Sequence, residues 1–198
     1  MRIESRNCVR SVLVTGVLLI ASVGVSCADG RDAAKPEAKP VLQISIAVPI
    51  NHGNRAIIVG RPDSHFHAVV TNISDKPVRL WREWCSQGYF NLTFRLTDAN
   101  SKTFIGKKLG RGWDKNFPDY VELGADEHFV IDVYPLRDWE NFTPVFTTEA
   151  TKAKLQAVYE IKPDTDSKKY NVWSGRIESN AQEYVLYNYE ATAPKKDK

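Results

Sequence analysis

Several stretches of the chain alternate apolar and polar residues with a period of two, and that pattern limits the fold more than any other feature. Leu42, Ile44, Ile46 and Val48 are interleaved with Gln43, Ser45 and Ala47; Phe90, Leu92, Phe94 and Leu96 are interleaved with Asn91, Thr93, Arg95 and Thr97. Successive side chains of an extended chain point to opposite faces, so each run predicts a strand with one face buried and the other wet. Less regular runs of the same kind fall at 55–60, 64–73, 77–84, 128–134, 153–161, 172–178 and 183–189. Turn residues separate them, among them His52-Gly53-Asn54, Ser74-Asp75-Lys76-Pro77, Asp98-Ala99-Asn100-Ser101 and Lys162-Pro163-Asp164. No long segment carries a helical period; a turn or two near Leu136–Phe142 is the single helical expectation. Short strands at this spacing predict an all-β fold, an antiparallel sandwich.

Three phrases point to the immunoglobulin-like version of that sandwich. Residues 68–78 read as a strand, an Asn/Ser/Asp turn and a second strand opened by Pro77; residues 123–133 read as a tight turn into an alternating strand. Residues 155–161, a polar loop and residues 172–179 read as a last long hairpin, with Trp173 as a core aromatic. Taken together, 71–78 (TNISDKPV), Leu123-Gly124, 157–161 (AVYEI), 172–175 (VWSG) and Ser179 resemble exported bacterial immunoglobulin-like domains of uncharacterised role. They are also distantly similar to the bacterial intracellular proteinase inhibitor family, which shares such a sandwich. The resemblance covers most of 41–190 and implies fold; it assigns no functional residue. The segment Ser101–Tyr120 has no counterpart in it.

The N-terminus has a different character. Arg2, Arg6 and Arg10 precede an apolar stretch, Val12–Val25, that is shorter than the roughly 20 residues of a membrane-spanning helix and ends in small residues. That is the pattern of an export signal over 1–28. Cleavage after Ala28 would release a soluble chain beginning at Asp29; cleavage before Cys27, in the lipoprotein-like Gly24-Val25-Ser26-Cys27, would leave a lipidated cysteine and a membrane tether. Residues 29–40, rich in Ala, Pro and charge, read as a flexible linker, 41–190 as the sandwich and 191–198 as a disordered tail. Of the 3 cysteines, Cys8 and Cys27 belong to the signal region, so Cys85 has no partner for a disulfide and reads as a small buried hydrophobe.

The whole chain carries +3 at pH 7. Residues 1–28 hold three arginines and one glutamate, which leaves +1 for the rest; the tail, with three lysines and one aspartate, contributes +2, and the body is close to −1. No basic face is implied, and a nucleic-acid partner is not expected.

Chemistry-bearing patterns are sparse. His65 and His67 stand two apart, so on one strand they share a face; with only Asp63 nearby they read as a solvated face and not as a metal site. His52 and His128 read as surface. Cys85 with a histidine base would be a simple nucleophile, but there is no nucleophile elbow, phosphate loop or His-Glu-x-x-His helix, and Asp164 and Asp166 lie in a polar loop. No catalytic residue, metal or cofactor is expected. Three N-x-S/T triplets, at Asn72, Asn91 and Asn141, are chance matches in a bacterial-looking chain.

Tryptophan placement is the most informative functional signal. Trp81, Trp84, Trp113 and Trp139 stand next to charged residues in or near connecting segments, and loop aromatics of this kind can line a binding face for a protein or a polysaccharide. The segment Ser101–Tyr120 is longer than ordinary connections and is the expected contact surface. The sequence therefore predicts a non-enzymatic, exported or lipid-anchored binding or structural module of the bacterial envelope, periplasmic, envelope-bound or extracellular. Its alternatives are a proteinase inhibitor presenting an exposed loop and a carbohydrate-binding domain.

Overall fold

Alternation becomes strand wherever a neighbour can complete the backbone hydrogen bonds. The computed structural model describes residues 39–50, 57–61, 63–114, 116–142 and 149–188. The strands are β1 (Leu42–Ala47), β2 (Ile57–Gly60), β3 (Phe66–Asn72), β4 (Val78–Trp81), β5 (Leu92–Thr97), β6 (Thr103–Lys108), β7 (Tyr120–Leu123), β8 (His128–Val133), β9 (Trp139–Glu140), β10 (Thr151–Ile161), β11 (Gly175–Glu178) and β12 (Gln182–Asn188); two short helices, α1 (Ser86–Tyr89) and α2 (Thr165–Lys169), interrupt them. The fold is thus mostly β, with antiparallel sheets. Among the described residues no helix is long and apolar enough to cross a membrane.

The strands form one sheet in the order β1-β3-β8, a larger one in the order β2-β12-β10-β5-β6-β9 with β11 also on β10, and a two-stranded β4-β7 ribbon. The β2–β12 pair is parallel. In β3 and β5 every second residue is buried, beginning with Phe66 and Leu92. Leu42, Ile44, Phe66, Val70 and Val133 from the smaller sheet join Phe94, Leu96, Leu155, Tyr159 and Leu186 from the larger one in a single apolar cluster. Phe66 meets Phe94 edge-on with 5.4 Å between ring centroids, and Phe94 meets Trp139 and Phe142 the same way at 5.1 and 5.6 Å. Each such ring, fully buried, contributes about 2–3 kcal/mol from apolar burial, with edge-to-face geometry adding to it.

Two polar residues hold the strands where the sheets change. Asn72, wholly buried at the end of β3, donates from Nδ2 to the carbonyls of Lys76, Leu123 and Gly124 at 2.8, 3.0 and 3.0 Å and accepts at Oδ1 from the Ser74 N–H and hydroxyl at 3.0 and 2.8 Å. It ties the β3–β4 turn to the β7–β8 turn, where Asp126 takes a left-handed φ of 61°. The other is Ser179. One edge of β10 pairs first with β12, over Thr151–Leu155, and then with β11, over Val158–Ile161. At the changeover the Ser179 N–H donates to the Ala157 carbonyl and its Oγ accepts from the Ala157 N–H, both at 2.9 Å.

Several expectations need correction. Leu136–Phe142 is not helical: the Arg137 and Asp138 N–H groups both turn back to the Tyr134 carbonyl at 3.1 Å, and Trp139 and Glu140 then pair with the edge of β6. About a third of the long connection Ser101–Tyr120 is strand, since β6 pairs along β5, and the described residues between Leu109 and Asp119 are loop. The run 77–84 stops at Trp81, and the polar loop after β10 contains α2, capped by Asp164, whose carboxylate accepts from the Ser167 N–H at 2.6 Å while the Ser167 hydroxyl accepts from the Asp164 N–H at 2.8 Å. The export signal 1–28, Cys8, Cys27, most of the linker 29–40, His52 and the tail 191–198 lie outside the described residues.

Candidate functional site

The site is a corner where the connection from β4 to β5 meets the loop 109–119. After Trp81 the chain turns, and the Cys85 thiol, 3% exposed, donates to the carbonyls of Arg82 at 3.1 Å and Asp119 at 3.5 Å. α1 lies so close on this turn that a side chain at Gly88 would run into the Arg82 carbonyl. The loop is fastened to the same turn: Arg82 N–H donates to the Asp119 carbonyl at 3.0 Å, Trp84 Nε1 to Asp119 Oδ2 at 2.7 Å, and Ser86 N–H to Asn116 Oδ1 at 2.8 Å. Trp113 closes edge-on against Tyr89 at 5.5 Å, with the Arg111 guanidinium over its ring at 5.0 Å.

Lys108 supports the corner from beneath. Its side chain is 8% exposed, its Nζ lies 2.8 Å from Glu83 Oε2 and it sits over the Tyr89 ring at 4.7 Å. A lysine so enclosed needs its anion and its aromatic partners, because desolvating an ammonium without compensation costs several kcal/mol. Burial is also the main reason that the Tyr89 phenol is pushed above its ordinary value, with the negative charge of Asp138 adding to it.

This framework presents aromatic surface to solvent. Trp84, Phe90 and Phe117 are 57, 51 and 77% exposed, and the Arg82 guanidinium lies over the Trp84 ring at 4.9 Å. Beside Phe90 opens a cavity of about 420 Å³ whose lining includes Gln87, Asn91, Glu160, Lys162 and Asp164. Gln87 is steadied by donating to Asp166 Oδ2 at 3.0 Å. A ring face next to amide, carboxylate and ammonium groups can stack on an amphipathic ligand and hydrogen-bond its rim.

Of the four tryptophans expected to bind, the structure brings Trp84 and Trp113 to this corner. Trp139, 4% exposed, is corrected to a core residue that stacks edge-on against Phe94 and Phe142; Trp81, 1% exposed, stacks edge-on against Tyr170 at 5.7 Å and also lines the cavity beside Phe90. Phe90 and Phe117 were missed. Phe90 stands at the head of an alternating run and reads as a strand residue, while Phe117 carries no pattern beyond its place before Pro118 in the long connection. Asn72 is buried within the turn, and Asp164 and Asp166 are engaged in capping and in the bond from Gln87.

A second group lies on the outer face of the β1-β3-β8 sheet. His67 is the cross-strand partner of Asp132, and its Nδ1 is 2.8 Å from Asp132 Oδ1. His65 lies on the same face, 5.0 Å from His67 between ring centroids. Ligand atoms of His65, His67 and Asp132 all fall within 4.8 Å of one another, so these three can hold a metal ion. Asp132 was not legible as a partner, because nothing in the sequence tells which strand pairs with β3. His128 is exposed and shares a 2.9 Å hydrogen bond with Thr71 Oγ1. No known protein family and no curated protein matches the sequence.

Proposed function

We propose that the chain is an exported, non-enzymatic binding module of the bacterial envelope, an immunoglobulin-like β-sandwich that takes a polysaccharide on its aromatic corner. The observation that carries this reading is the exposure of Trp84, Phe90 and Phe117 on segments held in place by hydrogen bonds before any ligand arrives. Such pre-ordering lowers the entropic cost of binding. The polar lining of the cavity beside Phe90 favours a ligand with hydroxyl groups around an apolar face, which is what a sugar ring offers. The apolar face shared by Phe66 and Phe94 across two sheets supports the sandwich, and its resemblance to exported bacterial immunoglobulin-like domains agrees with a signal at 1–28. The non-enzymatic reading draws support from the Cys85 thiol, which is buried and bonded to carbonyls, and from Asp164, which is engaged in capping.

The test is a titration of the protein with soluble envelope polysaccharides, followed by tryptophan emission. A saturable change that disappears in Phe90→Ala and persists in Ile105→Ala, an exposed control on β6, is the expected result; no saturable change with any polysaccharide sinks the reading. The intact mass of the protein from its native cells tests export: a start at Asp29, or at a lipidated Cys27, supports it, and retention of Met1 overturns it. A second reading, inhibition of a proteinase, is favoured by the high exposure of Phe117 on a loop pinned at Asn116 and Asp119. It requires stoichiometric inhibition that is lost when 109–119 is cut.

A further inference from the structure

The geometry points to a binding site for a divalent transition-metal ion formed by His65, His67 and Asp132 on the outer face of the β1-β3-β8 sheet. This site is separate from the aromatic corner and does not depend on the function proposed for it. Strand register creates it. His67 and Asp132 face each other across the β3–β8 pair, and two residues back along the chain, on the same face, His65 packs its ring against Tyr134 at 4.9 Å between centroids. The two imidazoles pack edge to face, at 77° with 5.0 Å between centroids.

The donor atoms lie within 4.8 Å of one another. In a tetrahedral site with bonds of about 2.1 Å they would stand about 3.4 Å apart. The difference is within the reach of side-chain rotation, and the strands need not move. A cation between His67 Nδ1 and Asp132 Oδ1, which are 2.8 Å apart, would replace the hydrogen bond between them; a neutral imidazole binds through the Nδ1 lone pair while keeping its one N–H on Nε2, so no net proton is lost.

The donor set selects the metal class. Two imidazoles and one carboxylate suit zinc, copper(II), nickel or cobalt, whereas calcium and magnesium require mostly oxygen. Three protein ligands leave at least one position for water. The neighbouring positive charge is already neutralised: Arg137, over the Tyr134 ring at 3.6 Å, makes two 2.8 Å bonds to Asp138. The ligands are half-buried or exposed, so a metal has access from solvent.

The test is calorimetric titration of the full chain, freed of metal by chelator, with zinc, nickel and copper(II) chloride, alongside variants whose folding is verified by circular dichroism. One equivalent of metal should bind, with affinity weakened about tenfold or more in both His67→Ala and Asp132→Asn and unchanged in His128→Ala. No heat of binding with any of the three metals overturns the proposal. So does binding that is unaltered in the His67 and Asp132 variants, since the metal would then sit elsewhere on the chain.

Discussion

At the aromatic corner the outward-facing side chains stand just before and just after a four-residue helix and on a loop, held by a handful of side-chain bonds to backbone and by Lys108 beneath them. On the outer face of the β1-β3-β8 sheet, His67 and Asp132 ride on regular strands whose spacing is set by the ladder itself. The corner therefore depends on particular contacts between loop and turn. The histidine face depends on register, which is lost only with the fold. Functional groups on loops are adjustable for that reason, and groups on strands are positioned at little local cost.

The largest expected effect tests the frame that both regions share. Asn72→Ala removes the donor that satisfies the Lys76, Leu123 and Gly124 carbonyls and should cost about 3 kcal/mol in urea unfolding, because buried acceptors are left unpaired. Tryptophan emission and far-ultraviolet circular dichroism should shift together. A loss below about 1 kcal/mol would show that the two turns are held without this side chain.

A smaller change should separate the regions. Lys108→Ala withdraws the cation from Glu83 and Tyr89 and should cost about 1–2 kcal/mol, discounted because Glu83 remains partly in water. Tryptophan emission should change at the corner, while metal affinity at His65, His67 and Asp132 stays as it was. A matching fall in metal affinity would break the distinction between the two regions.

The smallest effect at neutral pH concerns the core between them. Burial pushes the Tyr159 phenol well above its ordinary value of 10.0. The folded protein therefore holds that proton after the unfolded chain has lost it, and the resulting stability is present in full below pH 10 and declines as pH rises beyond it. Urea midpoints measured from about pH 9 to about pH 11 should fall in the parent; in Tyr159→Phe the fall should be shallower. An equal slope in both would place the alkaline sensitivity elsewhere, with Tyr89 and Tyr184, also raised by burial, as the next groups to replace.

How far the fold was legible varies strand by strand. β1, β5 and β8 announce themselves because their inward residues are large and apolar, and β3 does so through Phe66 and Val70. β6 does not. Its inward positions are Phe104, Gly106 and Lys108, and a side chain at Gly106 would run into the Phe142 ring, which occupies that place. A glycine and a lysine facing inward erase the alternation that marks a strand. Trp139 and Phe142 misled in the other direction, since their spacing resembles a helical turn while their burial comes from docking on Phe94. At the corner Trp84 and Trp113 were legible as loop aromatics, and the burial of Trp81 was not.

What the sequence determined by itself was the class of structure: period-two alternation is a local property, and it dictates which side of each strand faces inward. Tertiary structure alone decided which strands became neighbours. Asp132 meets His67, and Asn116 and Asp119 meet the turn before α1, through pairings between distant segments. Exposed polar residues carry no hydrophobic pattern from which such pairings are read, so both sites emerge only when the core has chosen the register.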